Sequence, residues 1–84
     1  MSLIGARHMV KYGVAKERLV YVDLDERKIT TEDEEGREWE YKLSEDIELS
    51  EEWVLNHLGE EITIYYKQER AGGPLIIVKI EEPE

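Results

Sequence analysis

Apolar residues recur at every second position in most of this chain, and every fourth position in one short stretch. Val20, Val22 and Leu24 alternate with Tyr21 and Asp23, which predicts a half-buried strand with the aliphatic set inward. Upstream, Val10, Tyr12 and Val14 keep the same parity. The two stretches read either as one long strand bent near Gly13 or as a strand with a separate lead-in. Ile29-Thr30-Thr31 is a short strand behind the polar turn Asp25–Lys28. The acidic run Glu32–Glu35 closes on Gly36, which supplies the positive φ of a hairpin loop. Trp39, Tyr41 and Leu43 then alternate with Glu38, Glu40 and Lys42, giving a strand with its apolar side toward the core.

The helical stretch follows. Ser50 stands at an N-cap position, Glu51 and Glu52 fill the first turn, and Gly59 marks the stop. Such a short helix needs packing to hold it, and Trp53 to Leu58 are expected to plug one end of the sheet structure. Two more strands complete the chain. Ile62, Ile64 and Tyr66 form the inner face of the first, and Ile76, Val78 and Ile80 are expected inside on the second.

Three strands, one helix and two strands specify a mainly β fold. The expected architecture is a small five-stranded OB-like (or SH3-like) barrel with its short helix between strands 3 and 4. Residues 17–82 resemble, in this order of elements, small OB-like domains of thermophilic prokaryotes. That resemblance implies a fold and carries no motif that fixes a function.

With 84 residues the chain holds one domain, expected over 9–84. Gly5–Met9 reads as a cloning scar, so residues 1–8 are set aside as tag remnant or disordered leader. There is no cysteine, which removes disulfides and thiolate metal sites. The longest apolar run, Leu75 to Val78, is far short of a membrane span, so a soluble, cytoplasmic protein is expected. Asp and Glu number 21 against 11 Lys and Arg, a formal charge of −10. This field repels phosphate and suits a cationic partner. One asparagine and one glutamine beside abundant Glu, Lys and Arg resemble hyperthermophile composition.

No catalytic constellation emerges. Asp23, Asp25 and Glu26 begin like a calcium loop, but Arg27 and Lys28 occupy the next ligand and glycine positions. His57 has Glu60 and Glu61 nearby and better suits the negative end of the helix dipole. Gly72-Gly73 precedes proline rather than a helix, so it forms a turn and no phosphate cradle. No cofactor, metal or small-molecule ligand is inferred, and the chain is read as a non-enzyme.

Two binding readings remain. If Ile76, Val78 and Ile80 point inward, Leu75 and Ile77 point outward beside Tyr65. Either the N-terminal segment covers this cluster through Val10 and Tyr12, or Tyr65, Leu75 and Ile77 are the candidate contact patch for a protein partner or a second copy. The alternative is a single-stranded nucleic-acid binder that stacks bases on Tyr21 and Tyr65 and holds phosphates with Arg27, Lys28 and Arg37. The net charge weighs against it.

Overall fold

The computed structural model describes residues 10–82; the expected leader, residues 1–8, lies outside this range. The strands are β1 (Lys11–Asp23), β2 (Lys28–Glu32), β3 (Glu38–Leu43), β4 (Glu61–Gln68) and β5 (Leu75–Glu81). The helix α1 (Glu51–His57) lies between β3 and β4. The strands close into a barrel in the order β1-β2-β3-β5-β4. All pairs are antiparallel except β3 with β5. Closed order and helix position are those of an OB-type barrel.

β1 is one continuous strand shared by two neighbours. Its first part, Lys11 to Arg18, pairs with β4, and its last part, Arg18 to Asp23, pairs with β2. The bend is made by a bulge at Val20, where the register steps from Leu19↔Thr31 to Tyr21↔Thr30. A bulge inserts one residue and reverses the facing of everything beyond it. Leu19 is therefore fully buried and Val20, expected inside, is 41% exposed. Val22 returns to the core side.

A second bulge corrects the fifth strand. The register passes from Tyr65↔Lys79 to Tyr66↔Ile77, leaving Val78 without a partner. Ile77, expected outside, is fully buried, and Leu75 packs against the core. Val78, expected inside, is 37% exposed. Ile80 keeps its expected inward side because it lies beyond the bulge.

The core consists of Leu19, Ile29, Tyr41, Leu43, Ile62, Ile64 and Ile77. Trp39 has inward parity opposite Thr31, but at the second residue of β3 its indole N–H donates to Asp33 Oδ2 in the hairpin at 2.9 Å. It is 39% exposed rather than part of the core.

The helix caps as expected. The Ser50 hydroxyl accepts from Trp53 N–H at 3.0 Å, and Gly59 follows with φ of 86°. It is not a plug, because none of its residues is buried. Trp53 alone of its side chains packs on the core, together with Ile47 and Leu49 from the preceding loop. Leu55 and Leu58 point to solvent. A hydrogen bond from Trp53 Nε1 to Glu82 Oε2 at 2.8 Å pins the helix to the segment just after β5. No helix among the described residues is long and apolar enough to cross a membrane.

Candidate functional site

The nucleic-acid candidates do not converge. Tyr21 lies on the outer side of β1 opposite Thr30, whereas Tyr65 lies on β4 between Val14 and Lys79. Arg27 turns inward. Its backbone takes a left-handed φ of 58°, which sends the guanidinium to the carbonyls of Ser44 and Ile47, each at 2.7 Å. It bolts the β1–β2 turn to the loop after β3 and is spent on structure. Arg37 is held in the β2–β3 hairpin by Asp33 and Glu35, each at 3.0 Å. Lys28 lies on the outer side between Asp23 and Lys42, diagonal to Tyr21 but on a different strand pair from Tyr65 on β4.

The expected protein-contact patch is likewise dismantled. Ile77 is sealed in the core and Leu75 is half-buried against it, so neither forms an outer surface with Tyr65. Tyr65 itself remains on the outer side. Its hydroxyl donates to Glu81 Oε1 at 2.9 Å, which raises the phenol's pKa, and Lys79 lies 5.2 Å from its ring centre.

The exposed apolar surface has moved one strand over. Tyr12 and Val14 on β1 are 73% and 60% exposed, and Val14 pairs directly with Tyr65. Alternation in the sequence shows that these residues share a side. It does not show that β1 keeps an open edge beside them, because that depends on where β2 stops pairing.

The backbone of this segment is open as well. Leu19 N–H donates to the Glu60 carbonyl at 2.9 Å, and the Leu19 carbonyl accepts from Gly59 N–H at 2.8 Å. Leu19 thus turns both groups to the β4 side. Along an antiparallel ladder this direction alternates. Glu17, Ala15, Gly13 and Lys11 follow Leu19, while Tyr12, Val14 and Lys16 turn their N–H and C=O to the opposite edge. β2 reaches only as far as Arg18 on that side. Among the described residues, no strand pairs with that edge of β1 before Arg18.

The rim beside this edge is the β2–β3 hairpin. Asp33 organises it by accepting from Glu35 N–H at 2.9 Å, Arg37 N–H at 3.0 Å, Arg37 Nε at 3.0 Å and Trp39 Nε1 at 2.9 Å. The indole donor, with the backbone and guanidinium donors, holds the carboxyl down at about 2 against partial burial. A cleft of about 380 Å³ separates the hairpin from the β1 edge. Its acids include Glu32, Glu34 and Glu61, against Lys16 and Arg18, and Arg18 already pairs with Glu32.

At the same rim, Glu17 reaches into the barrel. One of its oxygens accepts from Thr31 Oγ1 at 2.6 Å and Tyr41 Oη at 2.9 Å. Burial, then the Glu17 carboxylate, pushes the Tyr41 phenol well above its ordinary range, so it stays a donor. Glu17 also lines the cleft beside the hairpin. His57 is also engaged: it stacks on Trp53 with ring centres 4.4 Å apart, and its Nδ1 lies 2.7 Å from the Trp53 carbonyl. No group of three metal-ligating side chains occurs among the described residues.

Comparison with protein-family models, curated proteins and solved structures gives no match.

Proposed function

We propose that this chain is a non-catalytic interaction module whose contact surface is the outer side of β1 and β4, centred on Tyr12, Val14 and Tyr65. The exposure of Tyr12 and Val14 on a strand with one edge unpaired among the described residues carries the reading. Large side chains left in water on an unpaired edge are an aggregation hazard, which folded proteins ordinarily cover. Here two of them stand side by side with the half-buried ring of Tyr65, and a protein partner would bury all three.

A displayed peptide library selected on the immobilised chain tests it, with a Tyr12→Ser/Val14→Ser double variant as the comparison. Both positions are exposed, so the variant keeps the core. Binders recovered on the parent chain are expected to lose affinity about tenfold or more on the variant. Binders that hold the variant equally well would contradict the assignment.

A further inference from the structure

We infer that the occupant of this surface is an extended basic segment of another protein, added as a strand along the β1 edge at Tyr12, Val14 and Lys16. The inference rests on the interaction reading above and adds the binding mode and the chemistry of the partner.

The mode follows from the backbone. Tyr12, Val14 and Lys16 present donor and acceptor pairs at every second residue, the spacing that an added strand satisfies. No proline interrupts the segment, and the bulge that ends regular pairing lies further on, at Val20. The edge is backed by an uninterrupted ladder to β4 from Lys11 to Arg18, so it is presented as a formed strand rather than a loose tail. A partner adding here does not pay for ordering both strands.

Side chains sort by the pleat. On the outer side an added strand meets Tyr12 and Val14, which favour aliphatic or aromatic neighbours. Toward the hairpin it meets the cleft that holds Glu32, Glu34 and Glu61. Arg18 is engaged by Glu32, which leaves Lys16 as the one cation of the cleft with no ion pair recorded among the described residues. The chain as a whole carries a formal −10. Lys or Arg side chains therefore complement both the cleft and the long-range field. The same charge opposes a second copy, since two chains of formal −10 repel each other. It also opposes a nucleic-acid backbone.

The test uses the whole chain and a fluorescent synthetic peptide that alternates lysine with valine. Anisotropy measures binding, and backbone amide exchange followed by NMR locates it. Binding with slowed exchange at Tyr12, Val14 and Lys16 is the expected result. A peptide of the same charge with proline at alternate positions cannot form the ladder and is expected to bind at least tenfold more weakly. Glu34→Gln/Glu61→Gln is expected to weaken the lysine–valine peptide about tenfold at low salt. Val14→Pro removes a donor that faces away from β4, so it leaves the β1–β4 ladder whole and is expected to abolish binding. Equal binding of both cationic peptides would overturn the strand-addition mode. Preference for a glutamate–valine peptide at the same amides would overturn the basic partner while leaving the surface standing. Protection of these amides that rises with protein concentration alone would replace the partner by a second copy. Absence of any binding to the parent chain would overturn the inference, and library binders lost on the Tyr12/Val14 double variant would then still support the interaction reading by itself.

Discussion

The ring of Tyr66 occupies the space over Gly13, its partner across the β1–β4 ladder. A side chain at position 13 would overlap the phenol end of that ring. Tyr66 also meets Tyr41, with ring centres 5.7 Å apart and planes tilted by 55°. One ring therefore ties the open half of β1 to the barrel interior. Glycine in a strand is ordinarily a weakness, and an aromatic cover offsets it.

Gly13→Ala tests this contact through its sign. At an ordinary strand position the change stabilises by roughly 0.5–1 kcal/mol. Here the ring must move, and a net loss of about 1 kcal/mol is expected. Urea denaturation measures it. A more stable variant would show that the ring does not need the space.

The Glu17 network gives a second expectation. Tyr41→Phe removes one of two donors to the same carboxylate oxygen and leaves the other in place. A loss of about 1–2 kcal/mol is expected. Because Thr31 and Tyr41 share that acceptor, the losses from Tyr41→Phe and Thr31→Val are expected to be coupled by about 0.5 kcal/mol or more. Simple additivity in a double-mutant cycle would contradict the shared oxygen.

Asp33 makes the hairpin sensitive to acid. Its folded pKa lies near 2, below the ordinary 3.8, so the ionised form is bound more tightly in the folded state. The stabilisation is fully present above the ordinary value and is lost as pH falls from about 4 toward about 2. Asp33→Asn replaces an acceptor of four donors by an amide and is expected to lower the melting temperature at neutral pH. The gap between the two proteins is expected to close over that acid window. A gap that stays constant down to pH 2 would remove Asp33 from the account.

The succession of elements along the chain, the capped helix and the Gly36 turn are legible because each depends on local chemistry; the order of strands around the barrel is not. Ser50 caps the helix, and Gly36 takes a φ of 82°, at the positions their residue types demand. The two bulges were not legible. Val20 sits in an aliphatic alternation that reads equally well in either register, and Leu75-Ile76-Ile77-Val78 offers apolar residues to both sides. Only the partner strands decide which residue is skipped, and each skip reverses a face. Alternation alone therefore puts Leu75 and Ile77 outside beside Tyr65, where the bulge turns Ile77 inward. Trp39 differs for another reason: its parity is inward, but its indole is held by the hairpin carboxylate of Asp33 and stays 39% exposed.

The corrected fifth strand has a direct consequence. Ile77→Ala is expected to cost about 2–5 kcal/mol because the residue is fully buried. Val78→Ala, one position on and 37% exposed, is expected to cost well under half as much. The reverse ranking would restore Ile77 to the outer face.

The open edge of β1 is tested most directly by residue-resolved amide exchange across Lys11 to Glu17 in the free chain. Fast exchange at Tyr12, Val14 and Lys16, alternating with protection at Gly13, Ala15 and Glu17, is the expected pattern. Protection at all of these positions in dilute solution would mean that the edge is already covered, and the proposed surface would not exist.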